Sequence, residues 1–193
     1  MTTIVYLHGF RSSPASIKAT QLRDYVSALA KPPELYIPDL EAGPAQAIGG
    51  VVAWLGKNAD PASVTFVGSS LGGFYATCLA ERFGARAVMI NPAVRPYQDL
   101  QRWLGPQTNL YTGATFEVMP SHLDELRALA VTRITRPERY FLLVETGDEV
   151  LDYRVAIAFY GGALQYVRGG GDHTFTDFVA QVPAILRFAG VTQ

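Results

Sequence analysis

The stretch that decides the fold is Val64-Thr65-Phe66-Val67-Gly68-Ser69-Ser70-Leu71-Gly72-Gly73. Its β-branched and aromatic residues predict a short strand, and the residues after it predict a helix that begins at Leu71. The turn between these two elements has the pattern G-x-S-x-G, with Ser70 at its centre. Ser69 does not fit, because the pattern moved back by one position would need glycine where valine and leucine stand. The pattern therefore selects Ser70 alone.

A serine in this pattern, between a strand and a helix, predicts a nucleophile elbow. Gly68 and Gly72 carry no side chains, so the chain can turn tightly enough to hold the serine oxygen clear of the sheet edge. We expect the backbone of Ser70 to be strained. We also expect the free N–H groups at the start of the helix to face a developing oxyanion. A simple glycine-rich turn between a buried strand and a helix is the alternative interpretation.

The composition is that of an ordinary folded protein, and 193 residues predict a single domain, 1–193. Hydrophobic residues make up 49% of the chain, charged residues 17%, and the net charge is −1. This balance argues against nucleic acid and anionic membranes as partners. The single cysteine, Cys78, excludes an internal disulfide and a multi-cysteine metal site. Without a basic leader or a long apolar run, we expect a cytoplasmic protein.

Strand and helix signals alternate along the chain. Strands are predicted at 3–7, 34–38, 64–67, 87–90, 140–144 and 164–167, and helices at 14–30, from 44, from 71, at 153–160 and at 176–188. The first helix is predicted to have Ser13 as its N-cap and Pro14 at its first position. Buried strands separated by helices predict an α/β fold, a mainly parallel sheet covered by helices on both faces. Functional sites in such sheets gather where the strands end.

The first strand ends in His8-Gly9-Phe10-Arg11. The glycine lets the chain bend, so that the main-chain N–H of Phe10 points towards Ser70 and forms an oxyanion hole with the N–H of Leu71. We expect His8 to brace this loop by hydrogen bonding rather than to transfer protons. Two interpretations of Arg11 remain open: an ordinary exposed charge, or a side chain that leans over the pocket and favours anionic substrates.

The long strand 140–144 leads into a turn with several carboxylates, and one of them is needed to orient a catalytic histidine. Asp148 is the candidate, because it lies just beyond the strand and follows Gly147. Glu145 and Asp152 are the rivals. Asp152 is better suited to capping the next helix.

The last strand ends in three glycines, and His173 follows them. It is the one histidine that comes after both the serine and the acid, so it is the candidate general base. The side chain of its neighbour Asp172 is expected to point elsewhere. His122 is interpreted as surface in the first turn of a helix, behind the capping Ser121.

The order Ser70, Asp148, His173 is that of nucleophile, acid and base in the α/β-hydrolase superfamily. The whole chain resembles the small bacterial YqiA-type esterases of that superfamily. The matching stretches are Tyr6-Leu7-His8-Gly9-Phe10, Ser12-Ser13-Pro14, Lys18-Ala19, Gly68-Ser69-Ser70-Leu71-Gly72-Gly73, Asn91-Pro92-Ala93, Thr146-Gly147-Asp148-Glu149-Val150-Leu151-Asp152-Tyr153 and Gly170-Gly171-Asp172-His173. The resemblance implies hydrolysis of short acyl esters, with thioesters as a further option, without a cofactor or a metal.

Residues 91–121 are too apolar for a fully solvated loop. They form either a small cap that shelters an acyl chain, with Tyr97 and Trp103 in the substrate pocket, or an extension of the core. A large lid is excluded at this chain length, which argues against bulky lipids as substrates.

The sequence thus predicts a serine esterase that hydrolyses small-molecule acyl esters through an acyl-enzyme. A thioesterase or an acyltransferase is the nearest alternative within the enzymes. A protein that kept the fold and binds a small ligand without turning it over is the alternative from another class.

Overall fold

The computed structural model describes residues 2–191, and strands and helices alternate through them. The strands are β1 (Thr3–Leu7), β2 (Glu34–Tyr36), β3 (Val64–Ser69), β4 (Arg86–Ile90), β5 (Gly105–Thr108), β6 (Thr115–Val118), β7 (Tyr140–Glu145) and β8 (Leu164–Arg168). The helices are α1 (Ile17–Ser27), α2 (Pro44–Asn58), α3 (Leu71–Phe83), α4 (Pro96–Asp99), α5 (Pro120–Leu129), α6 (Tyr153–Phe159) and α7 (Phe178–Phe188).

Six strands form one parallel sheet in the order β2-β1-β3-β4-β7-β8. β3 lies in the middle, where Leu7 pairs with Gly68 on one side and Ile90 pairs with Ser69 on the other. All six strands run in the same direction, so β1, β3, β4, β7 and β8 end at one edge. The α/β fold expected from the sequence is confirmed.

Two apolar cores cover the two faces of the sheet. Along β1, Ile4 and Tyr6 point into one core and Val5 and Leu7 into the other, as expected for side chains that alternate along a strand. Helices α1 and α7 complete the first core, and α2, α3, α5 and α6 complete the second. Burial of both faces explains why the central strands are apolar throughout.

Some element boundaries differ from those predicted. α1 begins at Ile17 with Ser16 as its N-cap, not at Pro14, and it ends at Ser27. The Ser13 hydroxyl accepts the N–H of Ala15, and the Ser13 carbonyl accepts the N–H of Ser16, so these residues form a turn before the helix. β2 ends at Tyr36 because it is an edge strand that pairs with three residues of β1. α7 begins at Phe178 rather than at 176.

The stretch 91–121 contains an antiparallel hairpin, β5–β6, that the sequence analysis did not predict. Its loop is closed by Asn109, whose side-chain oxygen accepts the N–H groups of Tyr111 and Thr112. The side-chain amide of Asn109 donates to the carbonyl of Ser12, at 2.7 Å. The stretch is thus part core and part surface: Ala93 and Val118 are buried, while most of the hairpin is exposed and leans on the loop after β1.

None of the helices in residues 2–191 is both long enough and apolar enough to cross a membrane.

Candidate active site

Ser70 lies in the tight turn between β3 and α3, residues 68–72, which we call the serine turn. Its backbone is strained, with φ 55° and ψ −119°. Three hydrogen bonds hold it there: the N–H of Ser70 donates to the carbonyl of Ile90, and the carbonyl of Ser70 accepts the N–H groups of Gly73 and Ala93. Neighbouring structure therefore imposes this conformation on a residue that does not favour it.

Two glycines make the serine turn possible. A side chain at Gly68 would collide with the backbone of Gly72, and a side chain at Gly72 would collide with the carbonyl of Leu7 in β1. β1 and α3 therefore pack at backbone contact, and the end of β1 lies directly beside Ser70.

His173 joins Ser70 to Asp148 through its two ring nitrogens. Nε2 lies 3.1 Å from the Ser70 Oγ, and Nδ1 lies 2.9 Å and 3.0 Å from the two Asp148 carboxylate oxygens. A carboxylate only accepts, so Nδ1 carries the proton and Nε2 is left to accept the serine hydroxyl. The carboxyl group of Asp148 is 2% exposed, and one of its oxygens also accepts the N–H groups of Val150 and Leu151.

The rival acids have other partners. Glu145 is fully buried and accepts from the guanidinium of Arg168 at 2.7 Å and from the N–H of Asp172 at 2.8 Å. Asp152 caps α6 by accepting the N–H of Arg154. The Asp172 side chain turns away from the imidazole and accepts the N–H of Thr174. Asp148 is the carboxylate that contacts His173 Nδ1.

Residues 169–175, which we call the histidine loop, are held by distant side chains. The N–H of His173 donates to Glu149 at 3.0 Å. Gly171 has φ 73°, and a side chain there would collide with the Glu145 carboxylate. Glu145 therefore fixes the shape of the loop rather than the state of the imidazole.

Asn91 belongs to this site, but the sequence analysis assigned it no role. It follows β4, has φ 41°, and is 2% exposed. Its amide donates to the carbonyls of Asp172 and His173, and its oxygen accepts the N–H of Glu145. The sequence signal was an asparagine directly after a strand, a residue type that tolerates positive φ. Asn91 ties the histidine loop to the end of β7.

Strain is concentrated here. In residues 2–191, the non-glycine residues with φ in the left-handed region are Arg11, Ser70, Asn91 and Phe175, and they all belong to loops at the carboxyl edge of the sheet. Such residues cluster at functional sites in proteins.

The loop after β1 brings Phe10 beside the start of α3, where Leu71 is the first helical residue. His8 braces this loop: its Nδ1–H donates to the Gly9 carbonyl at 3.0 Å, and Nε2 accepts the N–H of Leu40 at 3.2 Å. Burial lowers the pKa of His8, which keeps the ring neutral in this role.

The model of UPF0227, an uncharacterised protein family, matches residues 3–190. The chain belongs to this family. The membership confirms the resemblance to small YqiA-type members of the α/β-hydrolase superfamily drawn from the sequence.

Solved structures show the same fold as this UPF0227 chain at low sequence identity. Alpha/beta hydrolase domain-containing protein 10 from mouse superposes with a TM-score of 0.75 at 19% identity, covering 97% of this chain and 89% of that one. The esterase domain of a Rhodothermus marinus protein gives 0.72 at 18%, covering 97% and 86%. Est1E from Butyrivibrio proteoclasticus gives 0.68 at 14%, also covering 97% and 86%. The fold is therefore that of the α/β hydrolases.

Two cavities flank the serine turn of the UPF0227 protein. The first, of about 320 Å³, is lined by Ser70 and His173, and we call it the imidazole cavity. The second, of about 260 Å³, is lined by Leu71 and by Phe116 of the hairpin, and we call it the amide cavity. Gly9, Phe10, Arg11 and Ser12 line both, so the loop after β1 separates them.

Arg11 is partly buried and lines both cavities. Its Nε donates to the carbonyl of Thr108 at 2.9 Å, and its guanidinium lies 5.3 Å from the ring of Trp103. Its carbonyl accepts the N–H of Leu110 at 2.8 Å. Arg11 thus joins the hairpin to the loop that carries Phe10.

The two aromatic candidates for the pocket, Tyr97 and Trp103, line neither of these two cavities. Trp103 packs edge-on against Phe10, with ring centres 6.0 Å apart. Tyr97 lies under the guanidinium of Arg127, 5.6 Å away. Phe116, the other edge-on neighbour of Phe10, lines the amide cavity itself.

The interpretation of His122 as helix surface was wrong. His122 is buried, and its Nδ1 accepts the N–H of Met119, the N-cap of α5, at 3.3 Å. The helix begins at Pro120, so Ser121 is not its cap.

Cys78 is partly buried, and burial raises the pKa of its thiol.

Proposed function

We propose that this UPF0227 protein is a serine esterase that hydrolyses short-chain acyl esters through an acyl-enzyme intermediate. The observation that carries the proposal is the continuous contact from Ser70 Oγ through the His173 imidazole to Asp148. The strained serine turn and the α/β-hydrolase fold support it.

Each member of the contact has a defined task. Ser70 Oγ attacks the ester carbonyl while His173 Nε2 takes the hydroxyl proton. His173 then gives this proton to the leaving alcohol as the bond between carbonyl carbon and alcohol oxygen breaks. In the second half of the reaction, His173 takes a proton from a water molecule as the water attacks the acyl carbonyl. The bond to Ser70 Oγ then breaks, Ser70 regains the proton and the acid is released. Asp148 holds the imidazole in the required tautomer and stabilises the imidazolium.

The main-chain N–H groups of Phe10 and Leu71 are assigned to the oxyanion. Both residues line the amide cavity beside the serine turn. Backbone donors suit this task because they are already oriented before the negative charge develops. The start of α3 adds the positive end of a helix dipole.

The amide cavity is assigned to the acyl chain. Its apolar walls come from Phe10, Leu40, Leu71, Tyr75 and Phe116. Its volume of about 260 Å³ lies below the usual range for drug-sized ligands, which starts at about 300 Å³. A short acyl chain fits these dimensions better than a long one.

A fluorophosphonate probe together with a series of p-nitrophenyl esters tests the proposal. We expect stable labelling of Ser70, no labelling of Ser70→Ala, and kcat/KM that falls as the acyl chain is lengthened. An unlabelled serine with no ester turnover favours a ligand-binding protein. Faster turnover of matched acyl-CoAs, or transfer to added alcohols, would replace the esterase with a thioesterase or an acyltransferase.

A further inference from the structure

Lys18 lies in the first turn of α1 and lines the imidazole cavity together with Ser70 and His173. Its ammonium donates to the carbonyl of Thr174 at 2.7 Å, one residue beyond the imidazole. The mechanism above does not use this ammonium, although it lines the same cavity as Ser70 and His173.

The two cavities have opposite charge. In the part of the chain that the structure describes, the imidazole cavity is lined by two basic residues, Arg11 and Lys18, and by no Asp or Glu. The amide cavity shares Arg11 but is also lined by Asp39 and Glu41. An anion is therefore favoured in the imidazole cavity and disfavoured in the amide cavity.

The carboxylates nearest to Lys18 are already engaged. Asp148, Glu145 and Asp172 all attract its charge. Asp148 pairs with His173, however, and Glu145 pairs with Arg168 and the N–H of Asp172. The Asp172 side chain accepts from Thr174. The Lys18 ammonium accordingly has donor capacity left for a ligand, since an ammonium carries three N–H donors.

The leaving group must depart on the side of His173. The imidazole has to deliver its proton to the departing oxygen, which therefore lies within hydrogen-bond reach of Nε2. His173 lines the imidazole cavity. This cavity thus receives the alcohol, and the amide cavity receives the acyl chain.

We infer that the imidazole cavity is a subsite for a leaving alcohol or phenol that carries an anionic group, which the Lys18 ammonium binds. This inference rests on the proposed esterase function. A carboxylate or a phosphate oxygen would form a charge-assisted hydrogen bond with Nζ.

Exposed apolar side chains at the imidazole cavity indicate the character of the uncharged part of the leaving group. Ile17 and Leu110 are 61% and 69% exposed, and Tyr111 is 44% exposed. All three line the imidazole cavity. An apolar or aromatic body would cover them, so the class of leaving group is a ring or chain with one anionic end.

The charge on Lys18 depends on pH within an accessible range. Burial lowers its pKa to about 8, and the nearby carboxylates oppose this shift. The ammonium is therefore present below about pH 8 and lost above it. The charged or titratable groups around it are Arg11, Tyr6, Tyr111, His173, Asp148, Glu145 and Asp172.

Two isosteric esters test the inference, 4-acetoxybenzoate and 4-acetoxybenzamide. They share the acyl group and differ in a carboxylate against a carboxamide on the phenol. The measured quantity is kcat/KM for 4-acetoxybenzoate divided by kcat/KM for 4-acetoxybenzamide. A change at His173 that acts on both esters cancels in this ratio. We expect this ratio to fall about tenfold in Lys18→Met. We expect it to be retained in Lys18→Arg and in Lys57→Met, a matched loss of charge on the exposed end of α2.

In the wild type, the same ratio should fall as the pH rises through about 8, whereas Lys18→Arg should keep it. A ratio unchanged in Lys18→Met, or flat with pH in the wild type, overturns the subsite, and a purely structural Lys18 would give this result because both esters would slow equally. If the wild type turns over neither ester, the subsite is also overturned. Labelling of Ser70 and turnover of p-nitrophenyl acetate then decide whether the esterase proposal falls with it.

Discussion

The serine turn is held by the backbone beside it, whereas the histidine loop is held by side chains from distant parts of the chain. Gly68 and Gly72 are required because strand and helix meet at backbone contact. The loop instead depends on Asn91, Glu145 and Glu149, which follow or end other strands. A local pattern can therefore specify one half of a site, while the other half depends on tertiary contacts.

The largest expected effect comes from the carboxylate that contacts the imidazole. In Asp148→Asn, an amide can donate to Nδ1 and leave the proton on Nε2, the wrong tautomer to accept from Ser70. We expect kcat to fall on the order of 10⁴-fold, the size of the corresponding change in the chymotrypsin triad. Ester hydrolysis under saturating substrate measures it.

Glu145→Gln is the matched control, because it neutralises a carboxylate that is buried in the same region but bonded to Arg168 and Asp172. Gln keeps an acceptor for the Asp172 N–H, so we expect kcat to fall less than about tenfold. Equal losses in the two variants would show that the loop contact matters as much as the imidazole contact.

The serine turn should be sensitive to a single methyl group. Gly72→Ala drives a Cβ into the carbonyl of Leu7, where β1 and α3 cannot separate without disturbing both cores. We expect the free energy of unfolding to fall by about 3 kcal/mol. Urea denaturation followed by circular dichroism measures it.

Gly56→Ala is the control for this variant. Gly56 lies within α2, and a side chain there meets no atom within 4 Å among the described residues. Alanine is the better helix former by up to about 1 kcal/mol, so this variant should be slightly more stable than the wild type. Similar destabilisation of both variants would contradict the packing argument.

Asn91 tests the histidine loop. Asn91→Ala removes two donors to the loop and the acceptor for the Glu145 N–H, all of them buried. We expect kcat to fall about 10- to 100-fold and the protein to lose about 2 kcal/mol of stability. Asn91→Asp keeps the acceptor but not the donors, so it separates the two contributions. Asn58→Ala, at the end of α2, removes only an exposed bond to the Trp54 carbonyl, so it should leave kcat unchanged and cost less stability than Asn91→Ala.

The sequence was sufficient for the parts of the molecule that local chemistry determines. Alternating strand and helix signals predicted the parallel sheet, and the glycine spacing located Ser70 in its turn. Chain order also selected His173 and Asp148, which lie in contact. The start of α1 was missed because both Ser13 and Ser16 are residues of a type that caps helices, and Ser13 forms a turn with Ala15 and Ser16 instead.

What the sequence did not predict depends on contacts between distant residues. His122 is buried where α5 packs on α2, a contact between elements that are distant in the sequence. The hairpin β5–β6 is short and exposed, and bonds from Arg11 and to Ser12 hold its loop. Asn91 acquires its partners only when β4 and β7 lie side by side.

The smallest expected effect tests whether the hairpin belongs to the site. Arg11→Ala removes the bond to Thr108 and the contact with Trp103, and it leaves the bonds from the Leu110 N–H and the Asn109 amide to the loop of Phe10. Since Phe10 and Arg11 line both cavities, we expect KM for a neutral ester to rise about three- to tenfold with a smaller change in kcat. Arg102→Ala is the control, because its guanidinium lies 5.9 Å from the same ring. If Arg102→Ala raised KM as much, the indole contact would matter and the bond to Thr108 would not. If neither variant changed KM, the hairpin would lie over the cavities without shaping them.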